Sequence, residues 1–325
     1  MLKILLSLTL SLVLFSPCHA SMENKINQTQ KTWQIKKESQ WYPLYHKLKK
    51  DGFTDKELQP YFRILENNYS QKPMGNKVKE LYQAKFAPKK KPPKKTQKQE
   101  KKENKLGIPY PWYPGYVTTE NAKKCQKFIE KNKEFFAKAE KQYKIPKEVL
   151  SALIYVETWH GNFLGKFNPL IMLGSMAISK DLAMLPDYTK QIKLNDAQNQ
   201  WMQNAIIKKA DWAYTELKAL LTYSIKNNID ITKTPSSIYG AIGYGQFMPT
   251  NIPRFAIDGN NDNIIDLFHA PDAILSVANF LHKQGWKTLS PSFNTQVKVL
   301  KRYNYSNAYA HTILALAKLT KQQSH

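Results

Sequence analysis

Residues 145–161, IPKEVLSALIYVETWHG, constrain the fold more than any other stretch, because they set a carboxylate where a helix should bury hydrocarbon. Pro146 suits a first helical turn, where its missing N–H costs nothing. Leu150, Leu153, Ile154 and Glu157 recur at i, i+3, i+4 and i+7, so they share one face. Gly161 is a stop signal. Glu157 therefore lands on the apolar face in the last turn. Partial burial and the negative end of the helix dipole both disfavour its charged form, so its pKa is expected to rise. A carboxyl that keeps its proton near neutral pH is what a general acid at a glycosidic bond requires. A Glu that reaches to solvent or pairs with a Lys fits this helix equally well, and the rest of the chain has to decide.

Charge narrows the partners. The 325 residues carry 49 Lys+Arg against 25 Asp+Glu, a net charge of +24, which points to an anionic partner: nucleic acid, a membrane or an acidic polymer. The N-terminus selects among these. Lys3, an apolar run over 4–15 and the small residues of Cys18-His19-Ala20 read as a signal peptide, residues 1–20, cleaved after Ala20. The run is too short for a membrane span. Lipidation at Cys18 is the alternative, with Pro17 a poor neighbour for it. Export argues against nucleic acid despite the charge. The remaining cysteine, Cys125, shares a helical stripe with Phe128, Ile129, Phe135, Phe136 and Ala139, so it is expected to be buried, without a disulfide.

Along the chain, residues 21–40 are polar and Lys/Gln-rich, and no structure is expected there. Residues 41–87 read as a small helical module. Trp41, Leu44, Tyr45 and Leu48 share a face, Thr54 and Glu57 form a capping box, and a third helix fits 77–86. Residues 88–109 form a Lys/Pro-rich linker, nine Lys falling within 88–105, either attracted to an anionic envelope polymer or membrane surface or serving as a plain tether. The segment 110–116, YPWYPGY, either packs on the next domain or stacks on sugars. Helices are expected over 120–143, 170–178, 199–227 and 272–285, with no strand alternation and no internal repeat. The fold class is mostly α, with a catalytic domain over 110–325.

A second stretch, YGAIGYGQFMP at 239–249, has three glycines that let a backbone approach a ligand, flat faces on Tyr244 and Phe247, and an amide on Gln246 that both donates and accepts. A plain turn explains such a run as well. Taken with Val156-Glu157-Thr158, however, Gly240 to Pro249 resembles the catalytic core of the lytic murein transglycosylase B family, glycoside hydrolase family 103. The likeness continues through Phe255 to Asp258, Asp272 to Phe280 and Arg302 to Ser306. It covers about residues 120–318, and more loosely 41–86.

The resemblance implies a lysozyme-like helical fold and cleavage of the MurNAc–GlcNAc β-1,4 bond of peptidoglycan glycan strands without water. Glu157 matches the single acid/base, which protonates the leaving oxygen and then takes the proton of the MurNAc C6 hydroxyl as a 1,6-anhydro ring closes. Ser237, Tyr244, Gln246, Phe247, Asn279, Phe280, Tyr303, Asn304 and Tyr309 fall at substrate-groove positions, Phe280 where the family often has Tyr. The short segment 287–301 leaves no room for a small β insertion. No cofactor is required for this chemistry, and a periplasmic monomer is implied. The rivals are a muramidase on the same scaffold and a non-catalytic peptidoglycan-binding protein.

The loop 258–266, DGNNDNIID, has calcium-loop spacing: Asp258, Asn260, Asp262 and the Ile264 carbonyl, with Asn263 where glycine is usual. Position 12 is His269 instead of Glu, and the resemblance assigns closure of the site to Asp272. Calcium, sodium or an Asx-rich solvated turn are the readings.

Overall fold

In the computed structural model, which describes residues 33–87, 106–190 and 192–323, every long element is a helix. The expected signal peptide and residues 88–105 of the linker lie outside the described residues. Three helices come first: α1 (Tyr42–Lys50), α2 (Asp55–Leu65) and α3 (Lys72–Lys85). The capping box at α2 is formed, with Thr54 Oγ1 accepting from the Glu57 N–H and the Glu57 carboxylate from the Thr54 N–H. α3 starts earlier than expected because Pro73 sits in its first turn, where no N–H is needed.

The single helix expected over 120–143 is two. Asn132 (φ −121°, ψ 29°) ends α4 (Thr119–Lys131) and starts α5 (Lys133–Tyr143). Its amide donates back to the Phe128 carbonyl at 3.0 Å, the local competition with the helix ladder that short polar side chains offer. Then come α6 (Lys147–Thr158), α7 (Pro169–Ile178), the short α8 (Pro186–Thr189) and the long α9 (Asp196–Asn227), which Asn195 and Gln198 close with a second capping box. After a long loop follow α10 (Ile252–Phe255), α11 (Ala270–Lys283), α12 (Phe293–Tyr303) and α13 (Asn307–Gln322). The last two, capped by Ser292 and Ser306, were not among the expected helices.

Burial explains the arrangement. α6 is buried from Val149 to Tyr155, with α4, α5, α11 and α13 packed around it. A change such as Leu153→Ala in this helix costs about 2–5 kcal/mol. A second group forms where α9 lies along α7 and where α2 and α3 cover α7. Gly174 of α7 permits this cover, since a Cβ there would meet Leu65 at 2.9 Å and Trp41 at 3.4 Å. Residues 33–87 share one hydrophobic core with the rest. Polar ties reinforce the seam: Tyr61 Oη to Ser224 Oγ at 2.9 Å, Ser70 N–H to Ser175 Oγ at 3.0 Å, and Tyr214 and Lys218 both donating to Asp51. Residues 33–40, expected without structure, are ordered by this packing: Ile35 is buried and the Trp33 indole donates to Glu66 at 3.1 Å.

The loop between α9 and α10 joins the two groups. Isolated bridges pair Phe167 with Ser236, Ser236 with Ile242 and Ile242 with Phe247, and no longer strand occurs among the described residues. Its glycines are needed for protein contacts more than for a ligand. A Cβ on Gly240 would strike Leu173, one on Gly243 the Leu267 carbonyl, and one on Gly245 both Tyr303 and Val277.

Candidate active site

Glu157 occupies the last turn of α6, and its surroundings follow from how that helix ends. Trp159 (φ 51°), His160 (φ 58°) and Gly161 (φ 86°) are all left-handed. For the two non-glycine residues this costs roughly 1–2 kcal/mol each. Contacts from His160, Thr158 and Gly161 hold the turn. The His160 ring stacks on Phe128 (centroids 4.1 Å apart, 13° between planes), and its Nε2–H donates to the Ser151 carbonyl at 2.9 Å. Thr158 Oγ1 donates to the Tyr244 carbonyl at 2.8 Å and accepts from the Gly161 N–H at 3.1 Å. Gly161 itself lies under the Tyr244 ring, where a Cβ would come within 2.3 Å. Burial pushes His160 down to about 4, so it is a neutral strut.

The carboxylate is half-buried, and desolvation raises its pKa from 4.5 to about 7. The Tyr309 hydroxyl donates to Oε1 at 2.6 Å and acts in the opposite sense, lowering the pKa. Tyr309 is held rigidly: it is 1% exposed, stacks parallel to Tyr303 (6.5 Å, 13°) and meets the edge of Tyr113 at 6.5 Å. Tyr113 of the 110–116 segment thus packs, its N–H bonded to Thr312 Oγ1 at 2.8 Å, while Tyr110 stays exposed. The Tyr303 hydroxyl donates to the Gly245 carbonyl, which ties α12 to the glycine loop. Burial and the nearby Glu157 charge hold both phenols well above their ordinary range, so they remain donors. No other charged group contributes to the Glu157 shift.

Of the candidate groove residues, Tyr303, Tyr309, Phe247 and Phe280 gather in one aromatic cluster next to Glu157. Phe280 packs on Tyr303 at 4.8 Å and on Phe255 at 4.7 Å, and Phe247 lies 6.0 Å from Tyr303. Phe247 and Phe280 are buried, at 2% and 6% exposure, so they back the site instead of lining it. Asn279 is also inside, donating to the Phe255 carbonyl at 2.9 Å. Ser237 braces its own turn by accepting from the Tyr239 and Ala241 N–H groups. Gln246 (φ 49°) donates to the Gly243 carbonyl at 3.0 Å, and Tyr244 is committed to Gly161. Asn304 is exposed at the end of α12. None of these five is hydrogen-bonded to Glu157. Sequence reasoning gave no roles to Thr158, His160 or Tyr113; a hydroxyl and a non-glycine left-handed turn directly after the acid were the signals for the first two.

Other sites offer less chemistry. Cys125 is fully buried and burial pushes its thiol up to about 12, so it is no nucleophile. A cleft of about 680 Å³ between α1, α9 and α10 is rimmed by Asp51 and Lys218, which neutralise each other.

The calcium loop adopts the expected turn, with Asn261 (φ 62°) and Asn263 (φ 68°) left-handed. Its oxygens are engaged within the loop. Both Asp258 oxygens accept backbone N–H groups, from Asn261, Asp262 and Asn263. Asp262 accepts from the Ile264 N–H and the Asn260 amide. Asp272 is fully buried, and its two oxygens accept from the Gly259 and Asp266 N–H groups, so it braces the loop. The Lys138 ammonium bonds the Gly259 carbonyl at 2.8 Å. Among the described residues no three His, Cys, Asp or Glu side chains are grouped to hold a metal.

Comparison with known proteins agrees with this geometry. The model of the transglycosylase SLT domain matches residues 37–296. The membrane-bound lytic murein transglycosylase B of Escherichia coli is 26% identical over 211 residues, 64% of this chain and 51% of that protein, so the chain spans about half the length of this curated relative. An Escherichia coli lytic transglycosylase solved in complex with calcium superposes with a TM-score of 0.61 at 20% identity, over 88% of this chain and 93% of its own. SltB3 of Pseudomonas aeruginosa, solved with NAG-anhNAM-pentapeptide, superposes at 0.60 with 16% identity, over 86% of this chain and 78% of its own. The helical architecture is therefore the lysozyme-like one of the lytic transglycosylases, and with most of its length matched by the domain model the chain belongs to the transglycosylase SLT domain family.

Proposed function

We propose that the protein is a peptidoglycan lytic transglycosylase with Glu157 as its acid and base. One observation carries the reading: a single carboxyl on an apolar helix end, raised to about 7 by burial and hydrogen-bonded at one oxygen by Tyr309. Near neutral pH a large share of Glu157 holds its proton. Tyr309 occupies Oε1, so Oε2 carries the proton to the glycosidic oxygen between MurNAc and GlcNAc, and that C–O bond breaks. The carboxylate so formed is stabilised by the Tyr309 hydroxyl while positive charge develops at the MurNAc C1. The C6 hydroxyl of the same sugar then bonds to C1, and Glu157 takes its proton. The 1,6-anhydro ring closes, the carboxyl is restored, and no water is consumed. One carboxylate suffices because the nucleophile comes from the substrate, whereas the glycosidases that hydrolyse use two.

Export to the envelope is part of the proposal and rests on residues 1–20. Among the described residues no helix is long and apolar enough to cross a membrane. The test is mass spectrometry of purified sacculi digested with the protein from residue 21 onward. Products ending in 1,6-anhydroMurNAc, lost in Glu157→Gln while its circular dichroism is unchanged, are expected. Reducing MurNAc ends would turn the reading to a muramidase, and full activity of the Gln variant would remove Glu157 from the chemistry.

A further inference from the structure

We propose that Trp159 and Phe163 form a stacking platform for a pyranose ring of the glycan, outside the pair of sugars that is cleaved. This rests on the reading of Glu157 as acting on a glycan. The two rings are 48% and 44% exposed, and they lie 5.9 Å apart at 41°. Their backbone is fixed: the Trp159 N–H bonds the Tyr155 carbonyl at 2.8 Å and the Phe163 N–H the Thr158 carbonyl at 3.0 Å. The Asn162 amide bonds the Trp159 carbonyl at 2.6 Å. Trp159 takes the left-handed position that ends a helix, where glycine is the favoured residue. A large aromatic there strains the backbone and leaves its ring in water, and neither cost is recovered in the core. Such a residue is explained by what it meets in solvent.

The occupant follows from position and chemistry. Trp159 is two residues past Glu157 in the chain, on the turn that Thr158 ties to the glycine loop. A polymeric substrate necessarily continues beyond the bond being broken. A pyranose ring carries no charge of its own, and its axial C–H groups carry partial positive charge that lies well on the negative face of an aromatic ring. Two rings held on a stiff turn lose little entropy on contact, which makes the platform preorganised.

The experiment measures binding of sacculi and of chitohexaose to the inactive Glu157→Gln protein, with and without Trp159→Gly and Phe163→Ala. Glycine relieves the left-handed strain, so Trp159→Gly is expected to keep or raise the melting temperature while weakening binding by about tenfold. In the active protein the same changes should raise KM and leave kcat and the anhydro product unchanged. Parent-like binding in both variants would overturn the platform even where the anhydro product is formed. Binding lost with Trp159→Gly in a protein that yields no anhydro product would keep the platform and overturn the transglycosylase reading. A change in oligomeric state with unaltered glycan binding would make the face a contact between copies of this chain, and would also overturn the proposal.

Discussion

In the proposed reaction Glu157 is an acid in one half and a base in the other, and its environment is balanced between the two. Burial favours the proton, and Tyr309 favours its departure. With the folded pKa near 7, the acid form is lost as pH rises through 7, so the rate should fall on the alkaline side with a limb near that value. Tyr309→Phe removes the donor that stabilises the carboxylate. The limb should move to higher pH, and the rate below it should drop about tenfold, read from a pH–rate profile. Stability follows the same linkage. The folded chain holds the Glu157 proton between pH 4.5 and 7 while the unfolded chain has released it, so stability declines as pH rises across that window. Glu157→Gln escapes this decline and should be more stable by up to about 3 kcal/mol at pH 8, with no gain at pH 4, as chemical denaturation would measure. The acid itself was legible in the sequence because helical period and apolar neighbours mark it. Its hydrogen-bonding partner, Tyr309, lies far along the chain and was reached through a family resemblance. Asp272 shows another case: the family resemblance reads it as a ligand, and only the fold reveals that its oxygens also accept two backbone N–H groups.

At the scale of elements, the end of α6 and the glycine loop form one device. Thr158 donates to the Tyr244 carbonyl and receives the Gly161 N–H, so one hydroxyl joins the acid's helix to the loop. Thr158→Val keeps the shape and removes both bonds. The expected loss is about 1–3 kcal/mol of stability together with a fall in kcat, and Thr158→Ser should restore most of each. Thermal melts and initial rates on the same preparations test it. The Thr54 capping box was readable because both partners lie within one turn, whereas the Asn195 box, of the same spacing, lies ahead of the helix start expected at 199. The break at Asn132 was not readable, since an amphipathic stripe runs through it, and the packing of the two halves on different helices, α4 on α13 and α5 on α11, accompanies the local competition from the Asn132 amide. The glycines of the loop were legible as glycines but not in purpose, because Leu173, Leu267 and Tyr303 are distant in sequence.

For the whole molecule, residues 33–87 are a wall of the structure as much as a module. They cover α7, and the Tyr239 hydroxyl of the active-site loop donates to Glu80 of α3. A chain beginning at residue 106 would expose the surfaces that Trp41 and Leu65 now bury. It should lack a cooperative calorimetric transition, whereas a fully separate catalytic domain would melt much as the parent does. Under the proposed removal of residues 1–20, Cys125 is the one cysteine left, and its burial has a further consequence. A thiol enclosed by packing and pushed up to about 12 has almost no thiolate with which to attack a disulfide or take an oxidant. Cys125 in the folded protein is therefore indifferent to redox potential. The protein's maturation asks nothing of the oxidative folding machinery, and it can work in an oxidising envelope with no covalent cross-link of its own to lose.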